Sequence, residues 1–224
     1  MLMAALDKSD PDIIKCLLDH GGDPNHTFDQ GFHARDMVFP LQLAVRKQNL
    51  VVAKVLLEHG AKLDKTTYKE IDDGYHYTGF ELEFSNWTVL HEAARNGGEE
   101  MMRFLIENDP GRLSYQKTGE GRSAIHVASE YRHTKCVEIL LEHGFDINEM
   151  SKSKSTPLHF AVDYLRVETV KMLIGKVAIT SLSNDAGLTP LEVARVKGHL
   201  GFWRPDEEKR GEIIRILSGC ESSF

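Results

Sequence analysis

Apolar residues in this chain gather into short clusters that come in pairs, and the pairs recur. One kind of cluster reads Thr156-Pro-Leu-His-Phe-Ala-Val and Thr189-Pro-Leu-Glu-Val-Ala-Arg, with starts 33 residues apart. Ser123-Ala-Ile-His-Val-Ala-Ser begins 33 residues before the former, and Thr88-Val-Leu-His-Glu-Ala-Ala 35 before that. The other kind reads Leu140-Leu-Glu-His-Gly, with Leu56-Leu-Glu-His-Gly and Leu17-Leu-Asp-His-Gly upstream. A fixed period decides the architecture before any single element does, and two clusters per period predict two helices per unit. Phe39-Pro-Leu-Gln-Leu-Ala-Val opens a second unit and Leu2-Met-Ala-Ala a shortened first, which makes six units.

Local chemistry accounts for the pattern. Thr156 and Thr189 suit a helix N-cap, and Pro157 and Pro190 the first helical position, where a missing N–H costs nothing. Gly21, Gly60 and Gly144 are placed to end the second helix in the left-handed conformation, with Asp23, Asp64 and Asp146 starting the next turn. One alanine per unit (Ala5, Ala44, Ala93, Ala128, Ala161, Ala194) lets neighbouring helices approach closely.

On these residues the chain resembles the ankyrin repeat family, whose unit of 33 residues is a turn and two antiparallel helices opening on TPLHxAA. The resemblance covers nearly the whole chain. It implies an all-α solenoid with β-hairpin loops, a single domain over residues 1–224 with units at about 1–33, 34–66, 83–117, 118–150, 151–183 and 184–224. A finger, insert 67–82, separates units two and three. Departures from the period predict enlarged loops near residues 26–37, 65–87 and 199–211, since a solenoid tolerates insertions only where they loop off one face. Gln42 and Glu192 replace the family histidine and Val177 the helix-ending glycine, so less regular turns are expected in units two, five and six.

Composition narrows the function classes. A formal charge of −7 argues against a general nucleic-acid binder, which needs a basic face. No run of 18 or more apolar residues occurs, and the acidic N-terminal stretch MLMAALDKSD does not read as a secretory signal, so cytoplasm or nucleus is expected. Three scattered cysteines, Cys16, Cys136 and Cys220, read as reduced thiols. No GxSxG, HExxH, GxxxxGK[ST] or GxGxxG occurs in a suitable setting, so no enzyme and no cofactor are expected.

His91, His126 and His159 recur regularly, yet equivalent positions on stacked helices lie about 8–10 Å apart, whereas ligands of one zinc are each about 2 Å from it. They read as turn-stabilising residues rather than metal ligands, and His20, His59 and His143 as partners of terminal helix carbonyls. Segment 65–87 crowds Tyr68, Tyr75, Tyr77, Phe80, Phe84 and Trp87 around a hairpin at Asp73-Gly74. Those aromatics either stabilise a long loop or form a recognition arm. Phe202 and Trp203 are expected to cover the end of the core.

The resemblance implies that a partner docks on the concave face, made of hairpin tips and first helices. Among the matching positions, which also include Asp7, Lys8, Asn96, Glu130, Asp163, Ser155 and Leu188, the expected contacts are Arg46, Lys47, Trp87, Arg95, Arg122, Tyr131 and Tyr164, a basic and aromatic stripe in an acidic chain. Arginine and aromatic side chains there have the chemistry of interface hot spots. The leading expectation is a non-catalytic scaffold or adaptor that binds a protein segment bearing acidic and apolar residues. A phosphate or nucleotide sensor using Arg46, Arg95 and Arg122, or a substrate-recruiting module of a larger enzyme complex, are the alternatives.

Overall fold

The structure, a computed structural model, describes residues 1–29, 37–66, 86–108, 116–196 and 206–221. The finger around Asp73-Gly74 and the stretch holding Phe202 and Trp203 lie outside the described residues. The chain divides into two compact units, Met1–Glu120 and Gly121–Phe224.

Among the described residues the first unit holds three helix pairs: α1 (Leu2–Lys8) with α2 (Pro11–Asp19), α3 (Pro40–Arg46) with α4 (Leu50–Glu58), and α5 (Val89–Asn96) with α6 (Glu99–Asn108). The second holds three more: α7 (Ala124–Glu130) with α8 (Thr134–Glu142), α9 (Pro157–Asp163) with α10 (Val167–Gly175), and α11 (Pro190–Arg195) with α12 (Glu207–Glu221). First helices pack on first helices, α1 on α3 on α5 and α7 on α9 on α11, while α2 packs on α4 and α8 on α10 on α12. Two short strands, β1 (Phe28–Asp29) and β2 (Met37–Val38), pair antiparallel with Phe28 opposite Val38, in the loop expected to be enlarged near 26–37.

The alanine found once per pair is the close-approach point: Ala44, Ala93, Ala128, Ala161 and Ala194 are all at most 3% exposed. Any larger side chain there would hold the neighbouring helix away.

Helix starts follow from local donors and acceptors. Asp10 Oδ1 accepts from the Asp12 and Ile13 N–H groups, and Asn49 Oδ1 from Val52 N–H at 3.0 Å. Thr189 Oγ1 accepts from Glu192 N–H, as expected of a cap. Thr156 differs, because its hydroxyl is engaged by the His159 ring at 2.8 Å.

That ring links one pair to the next. His159 Nδ1 accepts from Thr156 N–H at 3.1 Å, so Nε2 carries the proton and donates 3.0 Å to Leu188 O in the following loop. His126 does the same between Ser123 N–H and the carbonyls of Glu149 and Ser155. Glutamine at position 42 leaves this link intact, contrary to the expectation of a less regular turn. Its Oε1 accepts from Phe39 N–H at 3.2 Å and its Nε2 donates to Trp87 O at 2.9 Å, so an amide spans the same two groups as a neutral imidazole. Glu192 keeps only the near half, accepting from Thr189 N–H and Oγ1–H, and those bonds hold its carboxyl below the usual glutamate value.

The turn after α10 is regular too. Val177 has φ 65°, in the region occupied by Gly21 (90°), Gly60 (86°) and Gly144 (86°). Hydrogen bonds at that turn fix the shape: Val177 N–H to Ile174 O and Ala178 N–H to Leu173 O match Gly144 N–H to Leu141 O and Phe145 N–H to Leu140 O. Four non-glycine residues between paired helices, Ser9, Gln48, Arg132 and Leu165, are also left-handed.

His20, His59 and His143 each place Nδ1 2.7 Å from the carbonyl four residues back, which makes Nδ1 the protonated nitrogen. His59 goes further. Its Nε2 meets Asp19 Oδ1 at 2.9 Å, tying α4 to α2, and that bond raises its pKa. Among the described residues no group of three or more His, Cys, Asp or Glu side chains is arranged to hold a metal, and no helix is long and apolar enough to cross a membrane.

Candidate functional site

The predicted contact positions fall on first helices or next to them, and most are tied to a buried glutamate. In the first unit that residue is Glu92 on α5, 3% exposed. A carboxylate so far from water needs donors, and it has three: Arg46 Nε at 3.1 Å to Oε1, Asn96 Nδ2 at 3.3 Å to Oε1, and Trp87 Nε1 at 3.0 Å to Oε2. Arg46 comes from the last turn of α3, the helix packed against α5.

Trp87 therefore departs from its expected place as a groove-facing side chain. It is 5% exposed, with its carbonyl bonded to Gln42, its indole N–H to Glu92 and its ring 5.3 Å from that of His91. Lys47 reaches backwards: Nζ donates to Leu6 O at 3.1 Å and Asp7 O at 2.8 Å and lies 3.5 Å from Asp7 Oδ1. It caps the carbonyl end of α1. Arg46 and Arg95 each stand two residues after their helix's alanine, Ala44 and Ala93, and so share a register on neighbouring helices. Arg46 keeps 42% of its side chain exposed while its Nε is bonded, and Arg95 is half-buried.

The second unit repeats the device at a different position. Glu130, at the end of α7, is 5% exposed, and Arg122 Nη1 donates to its Oε2 at 3.1 Å. The Arg122 guanidinium lies 4.8 Å from the centroid of the Phe160 ring, a cation–π contact. Burial pushes the Tyr164 phenol well above its ordinary pKa, with the Glu130 charge and the hydrogen bond to that carboxylate adding to it, so the hydroxyl donates. Arg166 Nε donates to Glu130 O. Tyr131, the residue that follows α7, is half-buried.

Beside this network, a cleft of about 240 Å³ between α9 and α11 is lined by Phe160, Leu188, Val193 and Val196 together with the polar Asp163 and Asn184. Such a cleft can take an apolar side chain from a bound segment.

The sequence predicts neither Glu92 nor Glu130 as a contact, although Glu130 falls at one of the matching first-helix positions. A signal for Glu92 existed: it sits between His91 and Ala93 on the face turned to the core, where a carboxylate must be paired. The identity of its far partner, Arg46, 46 residues away, is not a local property.

Comparisons with known proteins agree with the fold. A family model for ankyrin repeats in three copies matches residues 75–151, and a single ankyrin repeat model matches 39–68. The human transient receptor potential cation channel subfamily A member 1 is 31% identical over 199 residues, covering 85% of this chain and 15% of that protein. Human ankyrin repeat and SOCS box protein 3 is 30% identical over 193 residues, 70% of this chain and 34% of the relative. Human SH3 and multiple ankyrin repeat domains protein 2 is 30% identical over 198 residues, 88% of this chain and 9% of the relative. The chain thus spans about a third or less of each of these relatives. With the repeated openings, the paired helices and the histidine links, these matches establish that the chain belongs to the ankyrin-repeat family.

Proposed function

We propose that this chain is a non-catalytic interaction scaffold that binds a segment of a partner protein along its first helices. Ankyrin repeats generally mediate protein–protein interaction, and the family is generally non-catalytic. The observation that carries the reading is the fixing of Arg46 by Glu92. One edge of the guanidinium is bonded through Nε, and among the described residues its Nη nitrogens have no partner, so they are presented to solvent in a set orientation. A donor already ordered loses little entropy when it meets a carboxylate or carbonyl.

The proposed contacts are Arg46 and Arg95 in the first unit. In the second they are Tyr131 and the cleft between α9 and α11, which receives an apolar side chain. Trp87, Arg122 and Tyr164 support them from beneath, and Lys47 fixes α1. A phosphate sensor built on Arg46 and Arg122 is disfavoured, because each already faces a buried glutamate and a phosphate beside it would add negative charge.

The test is capture of the partner by the whole chain, followed by affinity for the Arg46→Glu, Arg95→Glu double variant with its melting temperature checked. Loss of binding in a folded variant is expected, while Lys135→Ala, an exposed change on α8, should be silent. Parental affinity in the folded double variant would refute the reading.

A further inference from the structure

We propose that the cavity at the starts of α8, α10 and α12 is a binding site for a phosphate monoester. It adjoins the Glu130 network through Arg166 but opens at the starts of second helices, and it does not depend on the scaffold reading. Its volume is about 390 Å³, and Arg132, Thr134, Arg166, Thr169, Lys209 and Glu212 are on its wall.

Charge is what points to an anion. Two carboxylates on the wall, Glu168 and Glu212, share one cation: Lys171 sits 3.1 Å from the former and 2.8 Å from the latter, which leaves one negative charge over against the two positive charges of Arg132 and Arg166. Lys209 is paired with Asp206. Arg132 and Arg166 are different, since among the described residues neither has a carboxylate within ion-pairing distance. Arg166 is held by the Glu130 carbonyl and lies 5.9 Å from the Tyr164 ring centroid, which sets its direction, while the Glu130 carboxylate, itself paired with Arg122, acts on it without forming an ion pair. Burial, then the positive charge of Arg132, holds the Arg166 pKa below the arginine norm, so the two guanidiniums feel one another. A dianion between them removes that repulsion and accepts from both.

A hydroxyl pair supplies the second element. Thr134 Oγ1 and Thr169 Oγ1 are 2.9 Å apart, and Thr169 is 1% exposed. One hydroxyl donates to the other, and the acceptor's own hydrogen has no partner among the described residues. A phosphate oxygen in the cavity would accept it. The helices α8 and α10 also begin without a side-chain cap, so their first N–H groups add donors. The phosphate chemistry read in the sequence thus finds its fitting arginines here, rather than at Arg46 and Arg122. The cavity is several times the volume of a phosphate group, which leaves room for the group that carries it.

The experiment titrates the full chain with inorganic phosphate, a phosphoserine peptide, a small sugar phosphate and, as a control, chloride at matched ionic strength, following backbone amide shifts. The expected result is saturable binding of phosphate, with shifts concentrated at Thr134, Val167 and Glu168. Arg132→Gln and Thr169→Val, each checked by melting temperature, should each raise Kd, the former about tenfold or more. Should one fail to fold, Lys209→Gln replaces it. A tighter phosphoserine peptide assigns the source to a modified protein, and a tighter sugar phosphate to a metabolite. Equal shifts with chloride, shifts spread over the surface, or an unchanged Kd in folded Arg132→Gln would overturn the proposal.

Discussion

Val177 stores backbone strain that glycine would remove. A left-handed conformation costs an L-residue about 1–2 kcal/mol, and a β-branched residue sits toward the upper end because its two γ-carbons crowd the backbone. The side chain recovers almost nothing, since it is 81% exposed. Its backbone bonds, Val177 N–H to Ile174 O at 2.9 Å and Ala178 N–H to Leu173 O at 3.0 Å, do not involve the side chain and survive replacement. Against the relief stands the greater freedom of glycine in the unfolded chain, about 0.4–1 kcal/mol. Val177→Gly should therefore stabilise by about 1 kcal/mol. The same turn provides the reverse experiment: a Cβ at Gly144 would meet nothing within 4 Å, so Gly144→Val tests φ alone and should destabilise by a similar amount. Urea unfolding of both variants, with hydrogen exchange at the Ala178 and Phe145 amides to localise the change, reads the two effects. If Val177→Gly is no more stable than the parent and Gly144→Val no less, the strain argument is wrong.

Three other perturbations follow from the linking side chains. Gln42→Leu strands the Phe39 N–H and Trp87 O and should cost about 2–3 kcal/mol, whereas Gln42→His should restore most of it; equal losses in a denaturation series would show that the link contributes nothing. His159 is buried and its pKa lowered, by burial first, so between that value and 6.5 the unfolded chain binds more protons, and stability should fall as pH drops below about 6.5. In His159→Gln that part of the pH dependence should vanish, as melts between pH 5 and 8 would show. Trp87→Phe removes one of three donors to Glu92 and should lower stability by about 1–2 kcal/mol; lost partner affinity with unchanged melting temperature would return Trp87 to a direct contact.

The fold was legible where the cause is short-range. Ala93 and Ala128 mark close helix contacts by size alone, and Gly60 and Gly144 mark helix ends because a missing Cβ is visible in the sequence. The His159 link was legible because Thr156 lies one turn away. Ser9, Gln48, Arg132 and Leu165 carry no such mark: they are left-handed because the packed helix on either side fixes where the chain must turn. Val177 and Gln42 misled for a related reason. Residue type alone predicts irregularity there, but the neighbouring pairs impose the turn on valine, and an amide offers the same acceptor and donor as a neutral imidazole.

At the candidate site the sequence revealed the charges but not their counter-charges, and the difference changes what a partner meets. Arg46 and Arg122 read as a basic stripe only if their fields reach solvent unopposed. Glu92 and Glu130, each at most 5% exposed, sit against them where solvent screens poorly, so each pair presents little net charge at a distance. Long-range attraction of an acidic segment is correspondingly weak. What remains is short-range and directional: a guanidinium edge held at a fixed angle by a carboxylate that is itself held by Trp87 and Asn96. Glu92→Gln isolates this effect, because it removes the opposing charge while keeping an oxygen for the donors. If field strength governed binding, the variant would hold an acidic partner more tightly; if orientation governs it, as the three-donor arrangement implies, the loosened Arg46 should bind more weakly in a protein that still folds.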